Sequence, residues 1–141
     1  MKAVYVKEWM SSPPITIQPK GSLAEAHKLM TRNSIRRLPV MDGTKLVGIV
    51  TLTDVLEAEP SDATSLNIFE LNYLLDTLTV DRIMTKEVVT VAPDDALQSV
   101  ASEMLARKIG GLPVMQAGEL VGVITESDIF RAFVELIAVP A

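Results

Sequence analysis

Hydrophobic and polar positions along the chain follow the same order twice, at a constant offset of 74 residues (Leu112 minus Leu38). The run L-P-V-M begins at Leu38 and again at Leu112, and the run L-V-G begins at Leu46 and again at Leu120. The two halves match at this offset without a gap, which indicates an internal repeat. The sequence therefore predicts two copies of one structural unit.

Each copy predicts a strand, a helix, a hairpin and a second helix, so the fold class is α/β (α+β) with two βαββα units. The first helix has a capping pair, Ser22 with Glu25 in one copy and Asp95 with Gln98 in the other. The return strand of each hairpin is apolar throughout, which predicts burial on both faces. The predicted elements are Ile15–Ile17, Leu23–Met30, Leu38–Val40, Leu46–Val50 and Thr53–Leu56, then Val88–Val91, Leu97–Met104, Leu112–Val114, Leu120–Ile124 and Ser127–Phe133.

We place the first repeat at residues 1–59, a linker at 60–79 and the second repeat at 80–141. A polar segment, Glu57–Asp62, crosses the boundary between the first repeat and the linker, and apolar residues at helical spacing follow it. Two interpretations of this apolar helix remain open: it packs on the module as a connection, or it joins a dimer interface. Its apolar residues are Leu66, Phe69, Leu71, Leu74, Leu75 and Leu78.

Composition narrows the function classes. The 141 residues are 48% hydrophobic and 22% charged, as in ordinary globular proteins. Without cysteine there is no disulfide or thiolate metal site, and the single histidine, His27, excludes a multi-histidine zinc site. A net charge of −5 and an aromatic content of 4% argue against nucleic acid as a partner.

No window approaches the ~20 apolar residues of a membrane span, and the N-terminus has no apolar stretch of signal-peptide length. We therefore expect a cytoplasmic protein without a membrane partner. The sequence also contains no pairing of a nucleophile with a base, no metal cluster and no phosphate loop of the P-loop type. These observations predict that the chain is not an enzyme and needs no catalytic cofactor.

A short motif recurs at the end of each return strand: a glycine, two apolar residues, a threonine and, three residues later, an aspartate. Gly48 and Gly122 allow close backbone approach by a partner or ligand. The threonine hydroxyl can contact a phosphate, and the carboxylate can accept two hydrogen bonds from a vicinal diol. Equally, threonine and aspartate at a helix start are ordinary caps, worth about 1 kcal/mol each. Both interpretations stay open for Thr51 with Asp54 and for Thr125 with Asp128.

Together with the opening V-x-x-x-M of each repeat (Val6 and Val80), these motifs resemble a pair of CBS domains (cystathionine β-synthase domains), also called a Bateman module. The resemblance spans Val6 to Phe133 and extends to bacterial acetoin-utilisation proteins, which also have an apolar helix between the repeats. It implies two units about a pseudo-twofold axis. It also implies clefts between the repeats that hold AMP, ADP, ATP or S-adenosylmethionine.

The resemblance also assigns candidate ligand-binding residues. The ribose carboxylates would be Asp54 and Asp128, and the phosphate-side hydroxyls Thr51 and Thr125. Arg36 and Arg37 stand where relatives place basic residues that reach phosphates, although a solvated basic stretch is the alternative. The second copy has Gly110-Gly111 there, which predicts two unequal sites. The apolar residues beside adenine would be Ile15, Ile35, Leu38 and Pro39 in the first copy, and Val89, Ile109, Leu112 and Pro113 in the second.

The predicted function is regulatory adenine-nucleotide sensing, with a signal carried by a change in conformation or association. The alternative is a scaffold or dimerisation module that binds no ligand. The resemblance implies a homodimer and a protein target that the sequence does not identify.

Overall fold

The computed structural model describes residues 3–59 and 67–137 and divides the chain into two compact units. Unit 1 combines Met1–Pro14 with Val89–Ala141, and unit 2 is Ile15–Val88. Each unit therefore contains the hairpin and helices of one repeat together with the opening segment of the other repeat. Leu66 and residues 60–62 of the polar segment before it lie outside the described residues.

The helices and strands recur in the same order in both units. Short 3-10 turns, Val6–Glu8 and Val80–Arg82, begin the opening segments. In unit 2 the elements are α1 (Leu23–Arg32), β1 (Arg37–Asp42), β2 (Lys45–Thr51), α2 (Leu52–Ala58) and α3 (Ile68–Thr77). In unit 1 they are α4 (Leu97–Arg107), β3 (Gly111–Gln116), β4 (Glu119–Thr125) and α5 (Glu126–Leu136).

Each unit is built on one antiparallel hairpin, β1–β2 or β3–β4, as the sequence predicts. In the second hairpin Ala117 and Gly118 have φ of 51° and 80°, the positive values that a type I′ turn requires at both positions. Arg37 pairs with Thr51 in one hairpin, and Gly111 pairs with Thr125 in the other. The hairpins thus set the first residues of β1 and β3 beside the threonines that end β2 and β4.

The predicted first strands are reduced to single parallel bridges, Ile17 with Val40 and Val91 with Val114. The reason is proline, which cannot donate to a strand ladder and follows two residues later at Pro19 and Pro93. The prediction of full strands is therefore wrong.

Burial on both faces, expected of both return strands, is confirmed in β4, where Gly122, Val123 and Ile124 are all buried, and is wrong for β2. In β2, Gly48 and Val50 are buried, while Leu46, Val47 and Ile49 are partly exposed. This alternation is the pattern of a half-buried antiparallel strand.

Of the two N-caps predicted for the first helices of the repeats, the structure has the one at Ser22 but not the one at Asp95. Ser22 Oγ accepts the N–H of Glu25 at 3.0 Å, which confirms the first cap. In the second repeat the N-cap is Ala96, whereas the Asp95 carboxylate accepts the Ala92 N–H at 2.8 Å in the preceding turn. The Asp95 prediction is wrong by one residue, because the repeat register puts Ala96 where Ser22 stands.

The opening segments are integral to the two cores. Val6 is fully buried in the core of unit 1, and Val80 is fully buried in the core of unit 2. Burial of each valine stabilises its unit by about 1.5–3 kcal/mol. The backbone just before each segment's 3-10 turn also accepts a helix N-terminal N–H: Leu97 donates to Val4 O at 2.8 Å, and Leu23 donates to Leu78 O at 3.0 Å.

Helix α3 packs against the hydrophobic core of unit 2 through Leu75, and Leu78 extends this contact just beyond the helix. Its other side leaves Ile68, Phe69 and Tyr73 exposed, with Phe69 81% accessible. The connecting-helix interpretation is therefore supported for the described residues, and the exposed apolar side leaves a role in association open.

The glycines of the return strands face the chain's own opening segments. Ile49 exchanges two hydrogen bonds with Thr85 (3.0 and 2.9 Å), and Val123 does so with Ser11 (3.1 and 2.9 Å). A Cβ on Gly48 would lie 2.9 Å from the Thr85 carbonyl oxygen. The close approach expected at this glycine is therefore made by backbone of the same unit.

We predict that Gly48→Ala lowers the free energy of unfolding by about 1–3 kcal/mol, because the new methyl group must displace the Met84 side chain and the Thr85 carbonyl group. Urea titration followed by far-UV circular dichroism measures the effect. Thr44→Ala in the exposed turn of the same hairpin is the control, expected within about 0.5 kcal/mol of wild type. Equal stabilities of Gly48→Ala and wild type would contradict this packing.

Candidate functional site

In unit 2 the predicted basic pair and the T-x-x-D motif meet at one end of the hairpin. Thr51 ends β2 opposite Arg37, and the Leu52 N–H donates to the Arg36 carbonyl oxygen at 2.7 Å. Asp54 follows on the first turn of α2. The structure therefore places four of the predicted ligand-binding residues at the same end of one hairpin: Thr51, Asp54, Arg36 and Arg37.

Thr51 and Asp54 form a reciprocal capping box. The Thr51 N–H donates to Asp54 Oδ2 at 2.9 Å, and the Asp54 N–H donates to Thr51 Oγ1 at 3.1 Å. Because the hydroxyl oxygen is the acceptor here, its own proton stays available as a donor. Within the described residues, Oδ1 of Asp54 has no hydrogen-bond or ion-pair partner. The motif therefore caps the helix and keeps polar capacity for a ligand.

The predicted apolar residues of unit 2 divide by exposure. Ile15 and Ile35 are partly exposed and pack against the core, whereas Leu38 and Pro39 are buried. Unit 1 repeats this division, with Val89 and Ile109 partly exposed and the following pair buried. The buried pair there is Leu112 and Pro113. Ligand contact by these eight residues stays a prediction.

In unit 1 both oxygens of the equivalent carboxylate, that of Asp128, accept hydrogen bonds from groups of the protein itself. Asp128 is only 5% exposed, and its Oδ2 accepts the Thr125 N–H at 2.9 Å and the Thr125 hydroxyl at 3.2 Å. The other oxygen, Oδ1, accepts from Arg131 Nη2 at 2.8 Å. The Glu126 N–H donates to Gly110 O at 3.0 Å, so the glycine pair stands here where unit 2 has its arginines.

Arg131 is the functional candidate that the sequence reasoning missed. Besides Asp128, its Nη2 donates to the Trp9 carbonyl oxygen at 3.2 Å, and its guanidinium lies 5.6 Å from the centroid of the Trp9 ring. The signal was present in the i, i+3 spacing of Asp128 and Arg131 on a predicted helix. In the first repeat the corresponding residue is Glu57, which has the opposite charge.

A mainly apolar cavity of about 500 Å³ lies in unit 1 between α4 and α5. Ile109 lines it, but Thr125 and Asp128 do not. Its remaining lining residues are Ala101, Met104, Leu105, Lys108, Glu126, Ile129 and Phe130.

Residues 3–59 and 67–137 contain no group of three or more histidine, cysteine, aspartate or glutamate side chains that could hold a metal ion. None of the helices there is both long and apolar enough to span a membrane.

Comparison with known proteins gives the family. The CBS domain profile matches residues 6–61 and again residues 80–135. The chain therefore belongs to the CBS-domain family and contains a tandem pair of these domains.

The similar solved structures are CBS domain pairs. The CBS pair of protein MJ0100, in complex with 5′-methylthioadenosine and S-adenosyl-L-methionine, is 32% identical with a TM-score of 0.80, covering 96% of this chain and 100% of that one. A putative acetoin utilization protein (AcuB) from Vibrio cholerae has the same identity and TM-score, with coverages of 96% and 93%. CBSX2 in complex with AMP is 26% identical with a TM-score of 0.77, with coverages of 95% and 99%.

The first curated relatives are longer than this chain, which spans 21% to 46% of their length. One is an inosine-5′-monophosphate dehydrogenase of Korarchaeum cryptofilum, 40% identical over 117 residues that make up 82% of this chain and 21% of that protein. The similarity to this enzyme therefore covers only about a fifth of its length.

We predict that Thr51→Ala lowers the free energy of unfolding by about 1 kcal/mol, because the Asp54 N–H loses its acceptor. Chemical denaturation measures the effect, with the exposed Thr53→Ala in the same first turn of α2 as control, expected to change stability by less than about 0.5 kcal/mol. A Thr51→Ala protein as stable as wild type would show that the capping box contributes nothing.

Proposed function

We propose that this chain is a regulatory sensor of adenosine-containing ligands and that the Thr51–Asp54 site of unit 2 binds them. The observation that carries the proposal is the Oδ1 atom of Asp54. It has no partner among the described residues, and it belongs to the carboxylate that caps α2 together with Thr51, the residue paired with Arg37.

The chemistry of this site matches a nucleoside phosphate. A ribose diol donates two hydrogen bonds, which a carboxylate accepts. The Thr51 hydroxyl proton can be donated to a phosphate oxygen. The exposed Arg36 adds a planar guanidinium suited to paired hydrogen bonds with phosphate.

Ligands of similar structures support the same class. The MJ0100 CBS pair was solved with 5′-methylthioadenosine and S-adenosyl-L-methionine, and CBSX2 was solved with AMP. All three ligands contain adenosine. Among the candidates AMP, ADP, ATP and S-adenosylmethionine, the basic pair of unit 2 favours a phosphate-bearing ligand.

The proposed role is regulation rather than catalysis. A bound ligand shifts a conformational or association equilibrium only as far as its affinities for the two states differ. A protein partner then responds to the shifted state. We expect this to take place in the cytoplasm.

Association of two copies is the second proposed property, and α5 favours it. Phe130, Phe133 and Val134 on this helix are 61% to 73% exposed, and Leu105 on α4 is 81% exposed. Two of these residues, Leu105 and Phe130, line the apolar cavity of unit 1. Exposed apolar clusters of this kind are typical of protein interfaces. A dimerisation module without ligand binding is the alternative that this surface alone would support.

We predict that AMP, ADP, ATP or S-adenosylmethionine raises the melting temperature of nucleotide-free protein and that Asp54→Ala abolishes the rise. At 100 times the dissociation constant, a ligand stabilises the folded state by about 2.7 kcal/mol. A thermal-shift panel with NAD and GTP as comparison ligands measures the effect.

The exposed Asp42→Ala at the end of β1 is the control for the lost charge, and its ligand-induced rise should equal that of wild type. If Asp54→Ala, Asp128→Ala and the double variant all bind like wild type, the proposed site is wrong. A flat panel would favour the dimerisation alternative.

We predict a homodimer that Phe130→Glu weakens by about tenfold or more, because a charge then replaces one of the large apolar side chains of the exposed cluster. Sedimentation velocity over a concentration series measures the dissociation constant. Glu135→Gln on the same helix is the control and should leave it unchanged. A strictly monomeric wild-type protein would contradict the prediction.

A further inference from the structure

We propose that Arg131 is a specificity-determining residue that holds Asp128 and keeps unit 1 from binding the diol ligand that unit 2 takes through Asp54. The inference rests on the proposed function of the T-x-x-D sites. It goes further in assigning the inequality of the two sites to one side chain.

The first ground is the state of the two carboxylates. Oδ1 of Asp54 has no partner among the described residues, whereas Oδ1 of Asp128 accepts from Arg131 at 2.8 Å. The side chain of Asp128 is 8% exposed, so its guanidinium partner replaces most of the water. A diol at Asp128 would compete with a charge-assisted hydrogen bond, the stronger kind, for a carboxylate that is nearly buried.

The second ground is the state of the two threonine hydroxyls. Thr51 Oγ1 accepts from a backbone N–H, so its proton is available to a ligand. Thr125 Oγ1 lies 3.2 Å from Asp128 Oδ2, and because an ionised carboxylate only accepts, the threonine proton is the one donated. Both polar groups of the unit 1 motif are therefore used within the protein.

The third ground is that Arg131 is held from three sides. It contacts the Asp128 carboxylate, the carbonyl oxygen of Trp9 and the face of the Trp9 ring. Because the contacts with Trp9 already order this long side chain, its pairing with Asp128 costs less rotamer entropy. In unit 2 the corresponding residue is the exposed Glu57, which cannot pair with Asp54. The two repeats thus differ in charge at the position that controls the carboxylate.

The test is isothermal titration of the full chain with AMP, counting sites per chain. Wild type should show one strong site, and Asp54→Ala should remove it. Arg131→Gln should reveal a second site by raising its affinity about tenfold, the effect of one charge-assisted hydrogen bond. In the Asp54→Ala, Arg131→Gln double variant this second site should remain. The fluorescence of Trp9, the only tryptophan, should report its filling.

Arg107→Gln is the matched control, because Arg107 is an exposed arginine of the same unit that pairs with Glu103 on its own helix. It should bind AMP like wild type. If Arg131→Gln does not fold, Arg131→Lys tests the same point, since one ammonium lacks the planar fork that bridges Asp128 and Trp9. It should raise second-site affinity by a smaller factor.

Three outcomes would overturn the inference. Two sites of equal affinity in the wild-type protein would show that Arg131 does not prevent ligand binding at Asp128 in unit 1. A single Asp54-dependent site that neither Arg131 variant changes would refute the role of Arg131 and leave the proposed function intact. No binding of AMP or any other adenosine ligand to any of the proteins would refute both.

Discussion

The antiparallel pairing between each return strand and an opening segment is the interaction on which both units depend. Ile49 pairs with Thr85, and Val123 pairs with Ser11, each through two backbone hydrogen bonds. The pairing requires a glycine one residue earlier, because the neighbouring backbone lies within 3 Å of where a Cβ would stand. It also supplies each core with a buried valine and each first helix with a carbonyl acceptor for its N-terminal N–H.

The same pairing positions the candidate sites. Thr51 follows the paired Ile49 by two residues, so the strand that contacts the opening segment also delivers the threonine to the start of α2. Opposite it, β1 brings the basic pair to the same end of the hairpin. The two units share this frame and differ in a few side chains. Those few differences are what make their chemistry unequal.

Much of this could be predicted from the sequence, because the determining signals are local or repeated. The 74-residue offset identified the duplication, the turn residues identified the hairpins, and the spacing from Ser22 to Glu25 identified a cap. The family followed from the same motifs. The segment exchange could not be predicted, since neither repeat contains a local signal for which hairpin its opening segment joins.

Other features depended on tertiary contacts. The first strands were overestimated because β-branched residues favour extended backbone, but the prolines limit each segment to a single bridge. The second helix cap was misplaced because Asp95 has the right chemistry one residue too early. Arg131 became a candidate only when the structure placed it on both Asp128 and Trp9, which are far apart in sequence.

The central claim is that the Thr51–Asp54 site of unit 2 binds an adenosine ligand. Titration of ¹⁵N-labelled protein with AMP, followed through amide resonances, tests it most directly. The account predicts that the amides of Thr51, Leu52 and Asp54 shift with the first equivalent, before those of Thr125 and Asp128. Unchanged resonances at Thr51 to Asp54 in a protein saturated with AMP would contradict it.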